Sequence, residues 1–147
     1  MKSNHILVLN GPNINLLGIR EPNKYGNISL KKIIKELQII AKKQNCMLSH
    51  VQSNAEYILI NSLVQYSTNI NYIIFNPASF THTSIALRDT LLGINIPFIE
   101  VHITNIYKRE LFRQKSFFSD ISQGIIIGCG IEGYYLALNL ILKKLNK

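Results

Sequence analysis

The sequence predicts an α/β domain of three αβα layers, built on a doubly wound parallel sheet of five strands. Strand-like and helix-like stretches alternate along the whole chain. Most of the strand-like ones are continuous apolar runs, with no solvent-facing side. A run such as Ile6-Leu7-Val8-Leu9 must be covered on both faces, which is the condition of a strand in a parallel sheet flanked by helices. With five such strands the expected topology is flavodoxin-like, and ligands in such sheets bind beyond the carboxyl ends of the strands.

The elements follow in order. Residues 5–10 read as the first strand. Ser29 caps a helix whose apolar stripe is Leu30, Ile33, Ile34, Leu37 and Ile40, at helical spacing. Residues 47–52 form a weaker second strand. Asn54 is the expected cap of a second helix, with Ala55, Ile58, Leu59, Leu63 and Tyr66 as its stripe. Tyr72–Asn76 is the third strand, followed by a helix over 83–92 that Gly93 should stop. Residues 97–102 and 124–128 are strands four and five, and 134–145 the last helix. No repeat, linker or low-complexity segment interrupts the pattern, so 1–147 is expected to be a single catalytic domain.

The strand ends turn polar one after another: Asn10, Gln52 with Ser53, Asn76, and His102. In a parallel sheet these ends share one rim, and a site is expected there. The first of them opens onto an unusually long connection, residues 10–26, where such turns commonly take about two to six residues. This segment carries Arg20 and Tyr25, a cation near a phenol, and reads as a lid over a reactive centre.

Composition narrows the function classes. Net charge is +8, but 12 of the 16 basic residues are lysines, eight of them scattered over the first and last helices and the tail. There is no arginine-rich run interleaved with aromatics, so nucleic-acid binding is not expected. No apolar run reaches the roughly 18 residues of a membrane span, and no signal peptide is read at the start. Cys46 and Cys129 are expected to be buried, reduced thiols, and the protein cytoplasmic. The chain holds 25 isoleucines, 16 asparagines and 12 lysines but only four arginines, Arg20, Arg88, Arg109 and Arg113. None lies in the lysine-rich helices, so a bidentate fork is the expected reason for each.

Three chemistries can be set aside. Gly128-Cys-Gly130-Ile-Glu-Gly133 mimics a dinucleotide fingerprint, but only 14 residues follow it, too few for the second strand and acid that the fingerprint requires. Its glycines are expected to serve close strand–helix packing or closure of the rim. His82 and His102 lie on different elements, with no third histidine nearby and no paired cysteines to hold zinc. No serine sits on a glycine-flanked elbow. What is left is proton transfer without a cofactor. In Phe98-Ile-Glu-Val-His102 the residues at 98, 100 and 102 share one face of the strand. Glu100 can therefore orient His102 or hold it protonated, as a general acid needs. A phenol with pKa about 10 is a poor base at neutral pH, but Arg20 beside Tyr25 would lower it by about 1–3 units. A phenolate facing an imidazolium suits elimination of water next to a carbonyl.

These residues sit in long motifs: Asn10-Gly-Pro-Asn-Ile-Asn-Leu-Leu-Gly, Arg20-Glu-Pro, Tyr25-Gly26, Gln52-Ser-Asn, and Asn76-Pro with Thr81-His-Thr-Ser-Ile-Ala-Leu-Arg-Asp89. Glu100-Val-His-Ile-Thr-Asn105, Arg109-Glu, Phe112-Arg113 and the stretch from Gly124 to Tyr134 complete the set. In these, over nearly its whole length, the chain resembles the type II 3-dehydroquinate dehydratases, cofactor-free lyases of the shikimate pathway to chorismate and the aromatic amino acids. The resemblance implies that Tyr25 takes a proton from C2 of the anionic substrate 3-dehydroquinate, with Arg20 stabilising the phenolate and Asn13 holding a water at the enolate oxygen. His102, supported by Glu100, would protonate the departing C1 hydroxyl in an anti elimination. Asn76, His82 and Arg113, with the Ile103 and Thr104 amides and the Thr104 hydroxyl, would hold the substrate. Asp89 would reach in from a neighbouring subunit of a trimer-based homododecamer, which would also account for the apolar last helix.

Some positions depart from the family pattern. Ala78-Ser79-Phe80 stands where Gly-Ala-Tyr is common, Tyr57 replaces a glycine, and Thr104 a serine. Ala78 is the change of most consequence, because a glycine there lets the backbone approach the substrate. The competing reading is a flavodoxin-like module holding a phosphate or nucleotide on the glycine-containing loop after strand one. Against it, Lys24 is not in a Gly-Lys-Ser/Thr arrangement and the acid–base pair would be idle. A lost-activity scaffold would show gaps among the catalytic residues, and none is present.

Overall fold

The computed structural model describes residues 2–19, 23 and 27–147. Arg20 and Tyr25 lie outside the described residues. Five parallel strands, β1 (Asn4–Asn10), β2 (Cys46–Gln52), β3 (Tyr72–Asn76), β4 (Phe98–His102) and β5 (Gly124–Ile127), form one sheet in the order 2-1-3-4-5. Helices α1 (Leu30–Lys43), α2 (Glu56–Tyr66), α3 (Ile85–Ile94) and α4 (Glu132–Leu145) complete the expected flavodoxin-like α/β fold.

Because side chains alternate along a strand, the sheet feeds two cores. Ile6, Val8, Tyr72, Ile74, Ile99 and Val101 pack under α1 and α4. Leu7, Leu9, Ile73, Phe75 and Phe98 pack with Leu59 and Leu63 of α2 and Leu87 and Leu91 of α3. Glu100 and His102 share the parity of Phe98, so they belong to the second face.

The register brings the polar ends level. Asn10 pairs with Gln52 on one side and Asn76 on the other, while His102 ends β4. The chain reverses direction of growth at β1, between β2 and β3, and the rim opens beside that switch point.

Several boundaries differ from expectation for local reasons. Ser29 does cap α1, accepting from the Lys32 amide at 3.2 Å, but Ile40 is 38% exposed and Ala41 takes its place in the core. Position 41 lies three turns on from Leu30, whereas 40 trails to the edge of the stripe. Ile58 is likewise 40% exposed. Asn54 does not cap α2; Ala55 stands there without a side-chain cap, because the Asn54 carboxamide is spent on the first loop. Residues 78–82 form a 3-10 turn, so α3 starts later, capped by Ser84 at 3.0 Å from the Leu87 amide. Gly93 lies inside that helix, and Asn95, with φ 54°, supplies the left-handed residue that ends it. Cys46 is buried as expected, but Cys129 is exposed.

Two of the three fingerprint-like glycines serve packing, while Gly130, at φ +60°, has open space around it. A Cβ on Gly133 would lie 3.1 Å from Val101 Cγ1, and Gly128, at φ +80°, sits against Asn105. No helix among the described residues is long and apolar enough to cross a membrane.

Candidate active site

The first loop begins the site. After β1 the chain turns through Pro12 and Asn13, which has φ 67°, into a 3-10 turn over Ile14–Leu16. Gln52 and Asn54 pin this turn: Gln52 Nε2 donates to the Gly11 carbonyl at 3.2 Å, and Asn54 Oδ1 accepts from the Asn13 amide at 3.0 Å. A Cβ on Gly18 would lie 2.9 Å from the Asn27 carbonyl oxygen. Hence Gly18 and Asn27 lie against each other beside the first turn.

Beyond β4 a cavity of about 190 Å³ opens, room for a small metabolite rather than a dinucleotide. It is lined by Asn13 and the first turn, by Asn76, Ala78 and Ser79 after β3, by His82, by His102, Ile103 and Thr104 after β4, and by Arg109 and Arg113. Seven of the expected site residues therefore meet in one place: Asn13, Asn76, His82, His102, Ile103, Thr104 and Arg113. Of the polar strand ends, only Asn76 and His102 face it. Asn10 is fully buried beneath, and Gln52 serves the loop.

Glu100 lies immediately behind His102. Its Oε1 is 2.8 Å from His102 Nε2, so the other ring nitrogen is left for the cavity. The carboxylate also accepts from Ser116 Oγ on Oε1 and from Ser119 Oγ on Oε2, each at 2.5 Å. Burial alone would push the Glu100 carboxyl up, but the hydrogen bond and charge of His102, with the two serine hydroxyls, hold it below the ordinary value. Glu100 is fully buried, so an ionised carboxylate there requires such partners.

His82 Nδ1 donates to the Lys115 carbonyl at 2.7 Å, which leaves Nε2 as an acceptor in the neutral ring. Burial, and the neighbouring His102, Arg113 and Arg109, lower its pKa against the opposing effect of that hydrogen bond. Arg113 bonds the Glu110 carboxylate through Nε and lies over the Phe112 ring at 5.1 Å. Arg109 brings a second guanidinium, whose Nε is buried without a partner among the described residues. The cavity is thus cationic on one side and suits an anionic ligand. Arg88 has a structural role: its fork grips both oxygens of Asp120, at 2.5 and 2.9 Å, and ties the 114–123 segment to α3.

Asp89 is exposed on α3 and does not line the cavity of its own chain. Ser116, Ser119 and Tyr134 were not among the expected site residues. No spacing rule links the serines to Glu100, since the segment carrying them is irregular. Ala78 has φ 52°, a left-handed conformation, and its amide donates to Asn76 Oδ1 at 3.1 Å. The rarity of a non-glycine residue there gives physical content to the departure noted at this position.

Comparison with known proteins agrees with this geometry. The family model for class II dehydroquinases matches residues 4–142. The chain is 57% identical over 146 residues to a 3-dehydroquinate dehydratase of Buchnera aphidicola from Acyrthosiphon pisum, covering 99% of this chain and 97% of that protein. It is 55% identical over 142 residues to the 3-dehydroquinate dehydratase of Erwinia tasmaniensis, covering 97% and 95%. Among solved structures, the type II dehydroquinase of Butyrivibrio crossotus superposes with a TM-score of 0.91 at 38% identity, over 97% of this chain and 99% of that one. The buried carboxylate–imidazole pair thus stands in the setting its sequence motifs imply, and the chain belongs to the class II dehydroquinase family.

Proposed function

We propose that the protein dehydrates 3-dehydroquinate to 3-dehydroshikimate, a hydro-lyase step of the shikimate pathway. The observation that carries this is the buried Glu100–His102 pair opening onto a cationic cavity. Overall the substrate loses a proton from C2 and a hydroxide from C1, which leave together as water. A base is needed at C2 and an acid at the C1 oxygen. His102 is the acid: Glu100, kept ionised by the serines, stabilises its protonated form and directs the remaining N–H to the cavity. Tyr25 is the base, with Arg20 stabilising its phenolate. The close approach of Gly18 and Asn27, on either side of the loop, favours that placement. Asn13 holds a water against the enolate oxygen, where charge builds up as the proton leaves.

Asn76, His82 and Arg113 hold the hydroxyls and the carboxylate, with the Ile103 and Thr104 amides and the Thr104 hydroxyl. The assembly is a trimer-based homododecamer in the cytoplasm, in which Asp89 reaches a neighbour's site. Its exposed place on α3, and the exposed Leu136 and Leu140 on α4, favour this. The residues assigned to this reaction transfer protons and hold charge, so no cofactor is assigned a role. The test is ultraviolet detection of the conjugated enone acid on adding 3-dehydroquinate. Wild-type protein should form it, and His102→Gln should form it at least a hundredfold more slowly, since general acid–base catalysis contributes about 10²–10⁴-fold. Absence of product from folded wild type would overturn the reading.

A further inference from the structure

Beneath the cavity floor runs a buried hydrogen-bonded chain, Ala78–Asn76–Tyr134–Asn10–His50. Its direction can be worked out link by link. The Ala78 amide can only donate, so the Asn76 atom 3.1 Å away is the carbonyl oxygen. Asn76 Nδ2 then donates to Tyr134 Oη at 2.8 Å. Tyr134 is fully buried on α4, and its hydroxyl proton goes to Asn10 Oδ1 at 2.6 Å. Asn10 Nδ2 lies 3.0 Å from His50 Nε2. An amide nitrogen can only donate, so that Nε2 must be an unprotonated acceptor and His50 a neutral ring. Burial, which lowers the His50 pKa to about 4, agrees with this.

One N–H of Asn76 is left without a partner among the described residues, and Asn76 lines the cavity. We infer that Tyr134 is a positioning residue for substrate binding: it locks the Asn76 carboxamide so that the cavity meets a hydrogen-bond donor and never an acceptor. An oxygen of the substrate is the matching group, and an ammonium or amide N–H at that place would be rejected. The inference rests on the proposed substrate site, and it adds a second hold on the Asn76 carboxamide, on its nitrogen side, to the one the Ala78 amide gives its oxygen. Without the Tyr134 hydroxyl, Asn76 and Asn10 each lose a buried partner, and the Asn76 carboxamide is held by the Ala78 amide alone.

The test is Tyr134→Phe, which keeps the ring and removes the hydroxyl. Losing one well-oriented hydrogen bond to substrate should raise KM about tenfold, with kcat within about twofold and an unchanged pH profile, because uniform binding is lost and not the chemistry. Leu138→Val, a core truncation one turn on in α4, controls for packing. It should lower the melting temperature and leave KM unchanged. Unchanged KM in folded Tyr134→Phe, with wild type active, would overturn the inference. A wild type that does not dehydrate 3-dehydroquinate would overturn the proposed function instead. A second measurement needs no variant and no substrate: ¹⁵N NMR of wild-type His50 near neutral pH. The chain requires the proton on Nδ1, and a proton on Nε2 would overturn it.

Discussion

His102 and Glu100 meet at 2.8 Å on one face of β4, and the carboxylate behind the imidazole is itself held by Ser116 and Ser119. These hydroxyls, with His102, hold the buried Glu100 carboxyl below its ordinary value. In the proposed mechanism the serines thus support the acid as much as the glutamate does. Replacing both by alanine strips two hydrogen bonds from a buried charge, each worth about 1.5–3 kcal/mol. Steady-state rates should show kcat falling at least tenfold, while Ser122→Ala, a serine whose hydroxyl donates to the Ser119 carbonyl, should change little.

The histidines make stability depend on pH. Burial lowers His50 to about 4 from 6.5. Between those values the unfolded chain binds the extra proton, so stability rises with pH across the window and is lost as pH falls through it. A shift of that size corresponds to at most roughly 3 kcal/mol. Denaturant unfolding at fixed protein concentration should show this decline from about pH 6.5 towards about pH 4, and His50→Gln should flatten it.

Ala78 holds a left-handed φ of 52°, which costs an L-residue with a Cβ roughly 1–2 kcal/mol. Ala78→Gly removes that strain at an entropic cost of about 0.5–1 kcal/mol. The variant should be as stable or up to about 1 kcal/mol more stable, with a lower KM as the cavity loses a methyl. Thermal melts and steady-state kinetics on the same samples check both.

Gly11 has the opposite character. A Cβ there would lie 2.2 Å from the Pro77 carbonyl oxygen, backbone that cannot yield without moving Asn76. Its own amide bonds the Asn76 carbonyl at 2.8 Å. Gly11→Ala should cost at least about 3 kcal/mol of stability, or leave a folded protein with little activity. Soluble yield and the denaturation midpoint measure it.

Most of the fold was legible because strands buried on both faces read as apolar runs, and β3 begins and ends where its run does. The rim was legible for the same reason, since the first polar residue after such a run marks its carboxyl end. What could not be read were partners set by the fold alone. Asn54 was expected to cap α2, but β1 and β2 bring it to the Asn13 amide. Ser116 and Ser119 reach Glu100 from an irregular segment with no periodicity to betray it. Tyr134 reads as one more apolar-stripe residue of α4 until Asn10 and Asn76 are found at its hydroxyl.

The most direct test of the account is the rate of enone formation from 3-dehydroquinate by Tyr25→Phe beside wild type, with assembly of both checked. Product from wild type and a loss of at least a hundredfold in the variant would establish the elimination and place its base on the loop between β1 and α1. Equal rates would contradict the assignment of Tyr25, and no product from assembled wild type would contradict the reaction itself.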